Sequence, residues 1–198
     1  MKRNPLVSIV LPTHNGARYL EQAVQSCLDQ TYRNWELIIV DDASTDETPA
    51  LIARLVAADS RIRSIRNEVN QKLPGALNTG FAQARGEYLT WTSDDNLYRP
   101  HALTRMVEVL ESRPEVDIVY TDYTDIDKEG NPVRSVKVPA PEELVNRNCI
   151  GPCFLYRRAV HTMLGGYAED MYLAEDYEFW LRASILFRFE PLHIDLYL

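Results

Sequence analysis

Residues 7–49 read VSIVLPTHNGARYLEQAVQSCLDQTYRNWELIIVDDASTDETP. Two short runs rich in β-branched residues, Val7–Leu11 and Leu37–Val40, bracket a stretch in which Leu20, Ala23, Val24, Cys27 and Leu28 recur on one helical face. Ser44 with Glu47 then predicts a capping box, with Pro49 in the first turn of a helix striped by Leu51, Ile52 and Leu55. Further out, Ile62–Ile65 predicts a third strand, and Pro74 opens a helix carrying Leu77, Phe81 and Ala84, which Gly86 closes in a left-handed conformation. Glu87–Thr92 reads as a fourth strand. A helix from near Pro100 buries Leu103, Met106, Val107 and Leu110 and stops before Pro114, and Asp117–Tyr120 is a fifth strand. Such alternation predicts an α/β fold: a Rossmann-like, mostly parallel sheet with helices on both faces and its ligand site beyond the carboxyl ends of the strands.

The remainder is mixed. DKEGNP (127–132) predicts a hairpin turn, Val133–Val138 an extended strand, and Glu175–Ser184 a helix after the Gly165-Gly166 stop, with Tyr177, Trp180 and Leu181 on its apolar side. The expectation is one domain over residues 1–198, divided at about residue 122 into a doubly wound half and a mixed half.

Composition narrows the function classes. The 198 residues carry 29 Asp plus Glu against 21 Lys plus Arg, a net charge of -8. With no basic run in the chain, a nucleic-acid partner is not expected. Three cysteines, Cys27, Cys149 and Cys153, form no metal-binding spacing and fit a reducing, cytoplasmic compartment. Lys2 and Arg3 precede no long apolar segment, and no stretch reaches the ~20 apolar residues of a membrane span. Peripheral contact with the inner face of a membrane stays open.

Acidic pairs occur at Asp41-Asp42, Asp46-Glu47, Asp94-Asp95, Glu142-Glu143, Glu169-Asp170 and Glu175-Asp176. Two of them, Asp41-Asp42 and Asp94-Asp95, directly follow predicted strands on the ligand-binding edge. Like charges ~4 Å apart repel by about 4 kcal/mol at an effective dielectric near 20, so a shared cation or hydrogen-bonding ligand is the natural resolution. Asp41-Asp42 could also offset the positive end of a helix, with Asp42 left free to accept from a base or ribose. Asp46-Glu47 and Glu142-Glu143 read as first-turn helix charge, and for Glu175-Asp176 capping and catalysis stand level.

Three segments in order, the opening stretch, NTGFAQARGEYLTWTSDDN (78–96) and GGYAEDMYLAEDYEFWLR (165–182), together resemble the inverting glycosyltransferases of family 2, which have the GT-A fold. The resemblance runs from Val7 to about Arg182. TSDDNLYRP is most similar to the spore-coat polysaccharide glycosyltransferase type. It implies that the half up to about residue 122 binds a nucleotide-sugar and the half from about 123 an acceptor. Carried over, Pro12 and His14 line the base pocket, His14 where the family usually has an aromatic ring; its imidazole can stack on a base, the alternative being an ordinary loop residue. Asp42 meets the base, Asp94 the ribose, and Asp95 the metal, Mn2+ or Mg2+. Lys72 falls near the family's cationic contact to base or phosphate, or is a solvated loop lysine. Asp176 matches the catalytic base, with Glu175 orienting acceptor or helix. Thr92 stands where many relatives have the first acid of DxDD. The absence of QxxRW implies a single, non-processive transfer.

The implied reaction takes a sugar from a UDP-sugar, with a dTDP-sugar second, to a carbohydrate or lipid-linked acceptor in cell-surface polysaccharide or glycoconjugate biosynthesis. The alternatives are a catalytically inactive nucleotide-binding relative and a receiver-like signalling domain, in which the acidic pair would follow the first strand rather than the second. A dinucleotide oxidoreductase is disfavoured because PTHNGARYL lacks GxGxxG.

Overall fold

The computed structural model describes residues 3–198; Lys2, of the N-terminal basic pair, lies outside them. Strand β1 (Val7–Thr13) and strand β2 (Trp35–Asp41) are buried along their whole length, as strands covered on both faces must be. Strand β3 (Ile62–Arg66) and strand β4 (Tyr88–Trp91) complete a parallel set in the order β3-β2-β1-β4. The register aligns Thr13 with Asp41 and Val10 with Trp91, so the residues after all three strands emerge on one edge.

Helices α1 (Leu20–Leu28), α2 (Thr48–Ala58), α3 (Lys72–Gln83) and α4 (Ala102–Ser112) alternate with these strands as expected. Val7, Ile9 and Leu11 pack in one buried cluster with α1 and α4, while Val10 joins another with Leu77 and Phe81 of α3. Neighbouring β1 residues thus serve opposite faces of the sheet.

Strand β5 (Ile118–Ile126) runs past the expected Tyr120 and returns through the DKEGNP turn into β6 (Pro132–Val136). Asp127 Oδ1 accepts from the N–H groups of Glu129 and Asn131 at 2.9 Å, and Gly130 takes φ 87°. A 3-10 turn at Pro141–Val145 follows, starting at the expected Glu142-Glu143 pair. Strand β7 (Phe154–Arg157), absent from the sequence reading, inserts antiparallel between β4 and β5. Helix α5 (Arg158–Leu164) ends at Gly165 with φ 80°, helix α6 is Glu175–Leu186, and strand β8 (Phe189–Asp195) pairs with β5. Among the described residues no helix is long and apolar enough to cross a membrane.

Three local expectations are corrected. Ser44 and Glu47 form no capping box: α2 begins at Thr48, whose N–H donates to Asp46 Oδ1 at 2.9 Å, while Ser44 Oγ accepts from the Asn15 N–H. Gly86 is not a left-handed cap, since α3 closes through Ala84 in an extended conformation. Gly86 is small because its backbone crosses β1, where a Cβ would lie 2.5 Å from Ser8 N. Leu181 is exposed on α6; Phe179, fully buried beside Trp180, fills the core instead. The cysteines are free and buried, and burial pushes the Cys27 and Cys153 thiols up to about 12.

Candidate functional site

A cavity of about 410 Å³ opens at the carboxyl edge of β1, β2 and β4. Pro12, His14, Asp42, Lys72, Asp94 and Asp95 all line it, together with Thr13, Asn70, Leu73, Ala76, Ser93 and Tyr172. Six of the seven candidate residues therefore converge. Asp176 is not among the lining residues. It sits in the first turn of α6, where Oδ2 accepts from Asn148 Nδ2 at 2.7 Å and Oδ1 from the Tyr177 N–H at 2.7 Å.

The two acids that end β2 have separate environments. Asp41 is buried, paired with the Arg66 guanidinium, and accepts from the Ser44 N–H at 2.9 Å. Asp42 is also buried; its Oδ1 accepts from Asn67 Nδ2 at 2.8 Å and the Gln71 N–H at 2.9 Å, which fixes the carboxylate against the start of α3. Asp42 keeps acceptor capacity because a carboxylate offers about four lone-pair sites.

The His14 ring is held by both nitrogens. Nδ1 lies 2.7 Å from the Asp42 carbonyl, which can only accept, so Nδ1 carries the proton and Nε2 accepts from Asn15 Nδ2 at 3.2 Å. The edges are thereby occupied, and the ring face is what remains for stacking. Asn15, at φ 59°, also takes the Thr45 N–H at 2.8 Å on its own Oδ1, which ties the loop after β1 to the loop after β2.

Asp94 is packed at the floor, where its Oδ2 accepts from the Thr13 hydroxyl. Burial raises its carboxyl above the usual range, and the like charges of Asp95 and Asp46 push the same way, against the Thr13 hydrogen bond. Gly16 makes this arrangement possible, since a Cβ there would lie 2.0 Å from Asp94 Oδ2. Asp95 is exposed beside it. Thr92 is buried and hydrogen-bonded to the Tyr197 hydroxyl at 2.5 Å, so the first position of the acidic motif does not face the cavity.

Sequence reasoning missed Thr13, Asn70, Ser93, Tyr172 and the field of Asp46. Proximity of Thr13 to the strand end was the available signal, and Tyr172 stands three residues before Glu175 in the motif already singled out.

Among the described residues no group of three or more His, Cys, Asp or Glu side chains could by itself hold a metal. Mg2+ and Mn2+ need no such cage when a phosphate ligand supplies the other oxygens: one or two carboxylates suffice. Asp94 and Asp95, hard oxygen donors with their mutual repulsion uncompensated, fit that pattern.

A mostly parallel sheet flanked by helices, with an acidic cavity at its carboxyl edge and an antiparallel strand inserted beyond β4, is the GT-A type of fold. The chain belongs to glycosyl transferase family 2, whose profile matches residues 8–164. An uncharacterised glycosyltransferase of Rickettsia conorii is 34% identical over 96% of this chain and 32% of its own length. The O-antigen biosynthesis protein RfbC of Myxococcus xanthus is 30% identical over 93% of this chain and 15% of its own length. The chain thus spans about a third of the first relative. Among solved structures, S. aureus TarS residues 1–349 in complex with UDP superposes with a TM-score of 0.81 at 20% identity, covering 96% of this chain and 59% of that one. The mannosyltransferase PcManGT of Pyrobaculum calidifontis, in complex with GDP-Man and Mn2+, gives 0.75 at 23% identity, covering 96% and 55%. At these identities the two structures speak to fold alone.

Proposed function

We propose that this domain is an inverting, metal-dependent glycosyltransferase. It transfers one hexosyl group from a nucleoside-diphosphate sugar, a UDP-sugar before a dTDP-sugar, to a hydroxyl of a saccharide or lipid-linked acceptor. The setting is assembly of a cell-surface polysaccharide or glycoconjugate, in the cytoplasm at the inner face of the membrane. The observation that carries this reading is the convergence of Pro12, His14, Asp42, Lys72, Asp94 and Asp95 on one cavity.

Each residue has a role that its environment supports. The His14 ring face stacks on the base, and Asp42, immobilised by Asn67 and Gln71, accepts from the base N–H. Asp94 accepts from a ribose hydroxyl, and Lys72 neutralises phosphate charge. Asp95, with Asp94 beside it, would hold Mn2+ or Mg2+, which when bound stabilises charge on the leaving diphosphate. Asp176 takes the acceptor proton as the hydroxyl attacks the anomeric carbon, a contribution of about 10² to 10⁴ in rate. Asn148 orients that carboxylate. A single displacement needs no covalent nucleophile from the protein.

Titration calorimetry with UDP and Mn2+ tests the donor half. Binding that is absent, or unchanged in Asp95→Ala, refutes the metal-bridge reading. For the base, Asp176→Asn retains UDP affinity and loses transfer. An inactive nucleotide-binding relative would bind UDP yet release no nucleotide from any UDP-sugar.

A further inference from the structure

The segment joining α5 to α6 is fastened on one side. Arg182 donates to the Leu164 and Gly166 carbonyls at 2.7 and 2.8 Å. Asn78 of α3 clamps the Tyr167 backbone from both sides: Oδ1 accepts its N–H and Nδ2 donates to its carbonyl, each at 2.9 Å. From Glu175 the chain is anchored again as α6, with Glu175 itself buried. Between these anchors Met171, Tyr172 and Leu173 are exposed, Leu173 at 81%, and Leu173 holds φ 71°, a left-handed conformation rare for such a side chain. Water-facing apolar side chains on a strained turn are unfavourable for the free domain. Strain of this kind gathers at ligand clamps.

Tyr172 lines the cavity described above, and facing it is Lys72, also left-handed at φ 63°. The Lys72 ammonium lies 6.0 Å from the centroid of the Tyr172 ring, at the outer limit of a cation–π contact. Lys128 with Glu129 is the only lysine ion pair among the described residues, so the Lys72 charge is not spent on a carboxylate. A cation held by an aromatic face keeps its hydrogen-bond donors free for an anion. We infer that Tyr172 is a positioning residue that holds Lys72 across the cavity mouth, so that the pair clamps the diphosphate of a bound nucleotide. This inference rests on the cavity being the donor site.

The test is calorimetric titration of UDP with Mn2+, and of uridine, into wild type, Tyr172→Ala, Tyr172→Phe, Lys72→Met and the double variant Tyr172→Ala with Lys72→Met. Tyr172→Ala is expected to raise the Kd for UDP by about 3- to 30-fold, the range of a cation–π contact from exposed to desolvated. Tyr172→Phe restores most of that loss, since the ring face is what Lys72 meets. The double variant binds no worse than the weaker single, and uridine, which has no phosphate, binds all variants alike. Additive losses, an unchanged Kd in Tyr172→Ala, or equal weakening of uridine and UDP overturns the inference while leaving the donor site standing. A wild-type domain that binds no UDP overturns the donor-site reading and this inference with it.

Discussion

Gly16→Ala is the sharpest single perturbation of the cavity proposed to hold the donor. Gly16 does not hold a positive φ, so alanine is permitted by the backbone and the effect comes from space alone. The added methyl would lie 2.0 Å from Asp94 Oδ2, 2.3 Å from Thr13 Oγ1 and 2.8 Å from Asp94 Cγ, all well inside van der Waals contact. Asp94 must therefore rotate and release the Thr13 hydroxyl, and a carboxylate so displaced no longer reaches the position proposed for the ribose. A hydrogen bond to a charged group contributes about 1.5–3 kcal/mol, so the Kd for UDP should rise about 10- to 150-fold. Overpacking itself costs about 1–3 kcal/mol of stability, which leaves the domain folded. Calorimetry with UDP and Mn2+, with circular dichroism to verify the fold, reads both effects. Gly165→Ala is the control: at φ 80°, with nothing within 4 Å of the added Cβ, it costs about 1–2 kcal/mol of stability and leaves UDP affinity alone. A folded Gly16→Ala with wild-type affinity would refute the placement of Asp94 in the donor site.

Trp180 is fully buried, with ring centroids of Phe154 and Phe179 at 4.8 and 5.1 Å, so Trp180→Ala should cost about 3–5 kcal/mol, read as a lower urea midpoint. Gly86→Ala puts a methyl 2.5 Å from the Ser8 backbone nitrogen and should lower stability by about 1–3 kcal/mol, visible in a thermal melt, without changing UDP affinity. His161, packed 4.7 Å from the Phe81 ring, is pushed down to about 4 by burial first and by Arg158 and Arg182 next. The unfolded chain takes up that proton near pH 6.5 and the native state only near 4, so stability is full above pH 6.5 and falls as pH drops from there toward 4. With residual solvent contact discounted, the loss should be about 1–2 kcal/mol, and equal urea-midpoint slopes for wild type and His161→Phe over that window would count against it.

The parallel half was legible because two patterns alternate along it: β1 and β2 are short, fully buried runs dominated by β-branched and leucine residues, and α1 and α4 bury the residues that their spacing marked, with Leu28 partly covered. Strand β7 was not, since FLYR is four residues long and its place between β4 and β5 depends on pairing partners far away in the chain. The capping box failed for a similar reason. Ser44 and Glu47 have the right spacing, yet Ser44 Oγ is taken by the Asn15 N–H, which reaches across from the loop after β1, and the Ser44 N–H is held by Asp41 three residues earlier. The position of Gly86 after a helical pattern suggests a local conformational device, whereas its backbone passes too close to β1 for a side chain.

The Asp41-Asp42 pair shows how far a motif carries and where it stops. Spacing placed both acids at a strand end and left cap or ligand open. Successive side chains at the end of a strand point to opposite faces, so the two cannot share one role. Asp41 turns toward Arg66 and the Ser44 N–H, and its charge is neutralised within the fold. Asp42 turns toward the start of α3, where uncharged amides from Asn67 and Gln71 orient it without cancelling its charge. Asp94 stands in a third situation, oriented by a hydroxyl and opposed by neighbouring acids. These three acids thus divide by partner: Asp41, answered by Arg66, is architectural, whereas Asp42 and Asp94 meet only neutral donors and keep their charge on the cavity proposed for the donor. Sequence gives the positions of these acids, but the cations that distinguish them arrive from other strands and loops.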